Sequence, residues 1–111
     1  MDKNDALKIA RNYISYLIKK NMKIHNAYLF GSYAKGTFSE DSDIDIAIIF
    51  NEMADEIDMQ IELMKLRRKI DTRIEPHPYL KSELDMYNPL WREILSKGIE
   101  IPVVWSITLI K

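Results

Sequence analysis

The chain has 111 residues, enough for one hydrophobic core, and its net charge of −1 gives no electrostatic case for nucleic acid as the main partner or direct acceptor. A hydrophobic fraction of 47% and a charged fraction of 30% are ordinary for a globular protein. The absence of cysteine excludes disulfides and thiolate metal sites, and no run is long enough to span a bilayer.

The first residues, "MDKNDALKIARNYISYLIKK", mix charge throughout and lack the apolar centre of a signal peptide, so a cytoplasmic protein is expected, with no membrane partner. Ala6, Ile9, Ala10, Tyr13, Ile14, Leu17 and Ile18 recur at three- and four-residue spacing, which predicts a helix over about 4–21. A short strand is expected at 26–30, halted by Gly31, followed by a brief helical turn after Ser32. The loop "TFSEDS" leads to a second strand at 43–50. A helix over 53–69 draws its apolar side from Ile57, Ile61, Met64 and Leu66. "KIDTRIEP" reads as a third strand ended by Pro76 and Pro78. "YLKSELDMY" and "PLWREILSKG" read as shorter helices, the second with Pro89 near its start and Gly98 past its end. The tail "IEIPVVWSITLIK" is strand-like and apolar. The pattern predicts a single domain over 1–111 of α/β (α+β) class, a small mixed sheet with helices packed on one face. Its core runs from about 4 to 101, and an apolar tail over 102–111 needs a cover from this chain or another.

The chemistry concentrates in "GSYAKGTFSEDSDIDIAII". Gly31 permits a sharp turn at a strand end, and Ser32 stands where a helix N-terminus offers free N–H groups to an anion. Asp43 and Asp45 are two apart, so in a strand they share a face while Ile44, Ile46 and Ile48 share the other. Two such carboxylates repel unless a cation lies between them, and hard oxygen donors suit Mg²⁺ or Mn²⁺. The alternative is a polar cap at the strand's start. Asp71 extends the argument: if the third strand pairs beside the second, Asp71 approaches Asp43 and Asp45. Three carboxylates around two ions then make a clamp for phosphoryl or nucleotidyl transfer. Equally, Asp71 is a surface acid paired with Arg73 or Lys69. Lys35 either neutralises phosphate or is solvated. His25 and His77 suggest no metal site, and Trp91 and Leu95 read as core.

Gly31-Ser32, ten residues, then Asp43-Ile44-Asp45, together with "KIDTRIEP", resembles the signature of the DNA polymerase β-like nucleotidyltransferase superfamily. The length is similar to that of its minimal nucleotidyltransferases, often encoded beside HEPN-domain proteins as toxin–antitoxin pairs. The resemblance implies the polymerase β-like fold. It implies that Gly31 and Ser32 bind the β- and γ-phosphates, that Asp43 and Asp45 ligate both metals, and that Asp71 ligates the attacking-side metal. ATP is the implied substrate and a HEPN-type toxin the implied partner, with AMP moved to a tyrosine hydroxyl. Larger superfamily members add helical domains, and the 40 residues after Asp71 have no room for one, so a second copy or another protein is expected to complete the site. A module that neutralises its partner by masking, and a transferase for a small molecule such as an aminoglycoside, are the competing readings.

Overall fold

A computed structural model of the chain describes residues 1–103. Its elements are α1 (Lys3–Lys19), β1 (Ile24–Phe30), the one-turn α2 (Ser32–Lys35), β2 (Ile44–Phe50), α3 (Glu56–Leu66), β3 (Ile74–Leu80), α4 (Pro89–Lys97) and β4 (Ile99–Ile101), with 3₁₀ turns at Arg67–Lys69 and Lys81–Glu83. The four strands form one sheet in the order β3-β2-β1-β4. β1 is antiparallel to β2 and β4, and β2 is parallel to β3, so the sheet is mixed as expected.

Local sequence accounts for the helix ends. Asp2 and Asp5 form a reciprocal capping box at the start of α1, with bonds of 2.9 and 3.1 Å. Asp55 caps α3 by accepting from the Asp58 N–H. Asn88 caps α4, with Pro89 in the first turn where no N–H is needed. Each cap of this kind contributes about 1 kcal/mol.

Both faces of the sheet are covered. On one face, Ala6, Ala10, Tyr13, Ile14 and Leu17 of α1 and Leu63 of α3 pack on Ala27, Leu29, Ile44, Ile46, Ile48 and Ile74. On the other, Ile94 of α4 packs with Phe30, Ala47 and Ile49, supported by Tyr28, Tyr79, Leu84 and Trp91. The two long helices share a face, but the short α4 takes the opposite one, so the expectation of helices on one face only is corrected: Phe30, Ala47 and Ile49 make the second face apolar as well. Trp91 joins that second cluster, while Leu95 faces out, 45% exposed.

Three further expectations are corrected. The third strand begins at Ile74 rather than Lys69 and runs through both prolines to Leu80. β3 is an edge strand, and the Pro76 carbonyl accepts from Gln60 Nε2 of α3 while the Ile74 carbonyl accepts from Arg67. N–H and C=O of one strand residue point the same way, so residues 74, 76 and 78 turn their backbone outward and the prolines cost no ladder bond. The helix expected over 79–87 does not form, because β3 takes its first residues and only the 3₁₀ turn follows. The apolar side of α3 is also displaced: Leu63 is buried and Met59 and Leu66 pack against the core, whereas Ile57 is 71% and Ile61 49% exposed. The Tyr13 hydroxyl, 2.7 Å from the Leu63 carbonyl, fixes that rotation from the α1 side. Residues 104–111, most of the tail read as strand-like, lie outside the described residues.

Candidate functional site

β1 ends at Phe30, which stands opposite Asp45 across the antiparallel pair. Gly31 follows at φ 74°, ψ −152°, a conformation essentially closed to other residues. A Cβ there would lie inside contact distance of Asp45 Oδ2 and 3.1 Å from its Cγ. Gly31 is thus required twice, by its backbone and by the carboxylate it makes room for. α2 starts at Ser32 and stops at Gly36, whose left-handed φ of 83° closes the turn with its N–H on the Ser32 carbonyl. Tyr33, buried and stacked on Phe38 with ring centroids 4.7 Å apart, pins this turn to the core.

The acids come from the next strand. β2 is central and apolar, with Ile44, Ile46 and Ile48 on the α1 side and Asp45, Ala47 and Ile49 on the α4 side. Asp43 is exposed, one residue before the strand, and strand alternation puts it on the side of Asp45. Asp45 Oδ1 lies 3.1 Å from His77 Nε2, a hydrogen bond when Nε2 carries the proton. The His77 ring meets Phe30 edge-on at 5.1 Å.

The β2–β3 register decides which further acid is near. Asp45 is paired with Glu75 and Ala47 with His77, so Glu75 and His77 share the face of Asp45 about one strand spacing, ~4.8 Å, away. Asp71 lies three residues before β3 and is held locally. Its Oδ1 accepts from the Arg73 backbone N–H at 2.9 Å and from Nε at 3.0 Å, and its Oδ2 accepts from the guanidinium at 2.7 Å. That fork holds the Asp71 carboxyl below the usual carboxylate range. The pairing of Arg73 with Asp71 was one of the two readings open in the sequence. Lys35, expected near phosphate, pairs with Glu93 of α4 at 2.9 Å. Farther along the same face, burial raises the Tyr79 phenol above its ordinary range, with the charges of Asp45 and Glu56 adding to it.

Read from the sequence, His77 is set aside as a metal ligand and Glu75 has no role in the candidate site. The signal was present in "RIEPHPY": with the strand started at Ile74, Glu75, His77 and Tyr79 alternate onto one face. Among the described residues, no three His, Asp or Glu side chains already converge as a ligand set. The donors nevertheless suit a hard divalent cation. They are carboxylate oxygens, and the missing side chain of Gly31 leaves an open cradle against Asp45 Oδ2. A cavity of about 580 Å³ lies elsewhere, lined by Asn21, Met22, Phe50 and Met59 at the far end of β2.

The family described as "Polymerase beta, Nucleotidyltransferase" matches residues 12–101. The chain belongs to this nucleotidyltransferase family. It is similar to the protein adenylyltransferase MntA of Shewanella oneidensis, with 37% identity over 65 residues, covering 58% of this chain and 47% of MntA. The chain thus spans about half the length of MntA. It is 33% identical over 101 residues to MJ0141 of Methanocaldococcus jannaschii, a candidate protein adenylyltransferase, covering 87% of this chain and 96% of that one. Its fold is similar to a chain in the crystal structure of a toxin–antitoxin with AMP-PNP, at TM-score 0.62 and 28% identity over 86% of this chain and 74% of the other. Among the described residues of this nucleotidyltransferase, no helix is long and apolar enough to cross a membrane.

Proposed function

We propose that this nucleotidyltransferase moves AMP from ATP to a protein hydroxyl, and that the acceptor is a tyrosine of a HEPN-type toxin that it thereby silences in the cytoplasm. The observation that carries the reading is the pairing of Asp45 with Glu75 beside the cradle left by Gly31. Support for the acceptor class comes from the naming of MntA as a protein adenylyltransferase and from the toxin–antitoxin structure holding AMP-PNP.

In this proposal Asp43, Asp45 and Glu75 hold two Mg²⁺ ions, with Mn²⁺ as a substitute, and Glu75 takes the place expected of Asp71. When bound, the ions neutralise the triphosphate and lower the pKa of the attacking hydroxyl. The N–H groups that open α2, with the Ser32 hydroxyl, receive the outer phosphates. Lys35 reaches them only by leaving Glu93, so its first role is to tie α2 to α4. His77 holds Asp45 in orientation. The acceptor oxygen bonds to the α-phosphorus, the bond from that phosphorus to the β-phosphate oxygen breaks, and pyrophosphate leaves. The hydroxyl proton passes to a carboxylate of the site or to water.

Titration calorimetry with AMP-PNP tests the site. Binding is expected with Mg²⁺, to weaken at least tenfold in EDTA, and to be lost in Asp43→Asn/Asp45→Asn. Equal affinity in EDTA refutes the metal-bearing site, because three carboxylates then fail to repel a bare triphosphate.

A further inference from the structure

We propose that the outer side of α3 is a contact surface between two copies of this chain, packed antiparallel about a two-fold axis near Ile61. The helix is apolar on two sides. Leu63, Met59 and Leu66 face the core, while Ile57 and Ile61 are 71% and 49% exposed, with half-buried Met64 completing an i, i+4, i+7 stripe. A single exposed isoleucine needs no explanation, but a stripe on one helix is a surface with a direction.

The charges beside the stripe say what covers it. Asp55 caps α3, Glu56 and Asp58 lie in its first turn and Glu62 just past its middle, while Lys65 and, in the following turn, Arg68 and Lys69 carry the opposite charge. Asp58, Lys65 and Arg68 are in no ion pair among the described residues. Asp58 and Lys65 are seven apart, two turns along the same side of the helix, too far to satisfy each other. A second copy laid antiparallel with Ile61 against Ile61 brings Ile57 to Met64 of the other copy. It also brings Asp58 close to Lys65, a contact that occurs twice by symmetry. A parallel pairing would set Asp58 against Asp58 and Lys65 against Lys65. The sequence of α3 is therefore complementary to itself in one orientation only.

An eleven-residue helix is about 16 Å long, so the contact falls short of the roughly 1,200 Å² of a stable interface. The dimer is accordingly weak, reversible and sensitive to salt. It also leaves the candidate active site open, because α3 packs on the sheet face opposite Asp45.

Sedimentation equilibrium of the full chain, over a wide concentration range and at low and high salt, tests the proposal. The wild type is expected to dimerise as concentration rises and to dissociate with added salt. Ile61→Glu should be monomeric throughout, with an unchanged melting temperature because the residue is exposed. Asp58→Lys and Lys65→Asp should each weaken the dimer at least tenfold, and an equimolar mixture of the two should associate again, since each copy then supplies the charge the other lacks. AMP-PNP binding by all three variants should match the wild type. A wild type that stays monomeric overturns the proposal, as does a dimer indifferent to Ile61→Glu or a mixture that fails to recover. If a different protein covers α3 instead, the wild type alone will be monomeric.

Discussion

Replacing Gly31 by alanine tests the link between the phosphate turn and the acids. At φ 74° and ψ −152° a side chain brings backbone strain of about 1–3 kcal/mol. The new Cβ would also press on Asp45 Oδ2 and lie 3.1 Å from Cγ, so the carboxylate must leave its place beside His77. Overpacking of this sort costs a further ~1–3 kcal/mol. The expected loss is about 2–6 kcal/mol, a fall in melting temperature of roughly 10–25 °C for a chain of this size. The two contributions separate in a double-mutant cycle measured by urea unfolding in EDTA. In an Asp45→Ala background the carboxylate is gone and only Cβ, 3.3 Å away, remains, so Gly31→Ala should cost the strain alone. A coupling of about 1–3 kcal/mol is therefore predicted. A loss below about 0.5 kcal/mol for Gly31→Ala, or strictly additive effects, would refute the view that this glycine is kept clear for Asp45.

Tyr13→Phe should cost only about 1 kcal/mol in equilibrium unfolding, because the Leu63 carbonyl keeps the Arg67 N–H when it loses the buried hydroxyl; a loss above about 3 kcal/mol would mean that α3 is re-seated. The Asp71 carboxyl is held below its ordinary value of 3.8, so its pairing with Arg73 stabilises the fold fully above that value and is lost as pH falls through the lower, folded one. Asp71→Asn should accordingly flatten the acid limb of a stability–pH curve below about pH 4, and an unchanged limb would count against the fork. His77→Phe keeps a ring against Phe30 but removes the bond to Asp45, and should weaken Mn²⁺ binding about tenfold by calorimetry. His77→Gln, whose amide nitrogen reaches a similar point, should recover part of it, and equal weakening in both would leave the ring with a packing role only.

The half of the candidate site carried by one continuous segment was legible in the sequence. Gly31, Ser32, Asp43 and Asp45 are tied by short-range rules, a glycine turn and strand alternation, and β2 forms within one residue of its expected start. The other half depends on which strand neighbours β2 and in what register. Pro76 and Pro78 looked like strand ends because a proline breaks a central ladder, and only the edge position of β3, with its outward carbonyls bonded to α3, makes them harmless. Moving the strand from 69 to 74 takes Asp71 out of it and brings in Glu75 and His77. The rotation of α3 was hidden for a similar reason. Ile57, Ile61 and Met64 fit a helical stripe as well as Met59, Leu63 and Leu66 do, and the choice is made by tertiary contacts such as the one from Tyr13.

The most direct measurement of the central claim is label transfer to the proposed toxin partner, using ATP carrying ³²P at either the α or the γ position, with Mg²⁺. Adenylyl transfer keeps the α-phosphorus on the acceptor and releases the γ-phosphorus in pyrophosphate. The prediction is α-label on the partner and no γ-label, abolished by EDTA and by Glu75→Gln, and retained within a few-fold by Asp71→Asn. Transfer of the γ-label would make the chemistry phosphorylation instead. Full α-transfer by Glu75→Gln, with loss in Asp71→Asn, would return the third carboxylate to Asp71 and contradict the site built on the β2–β3 register.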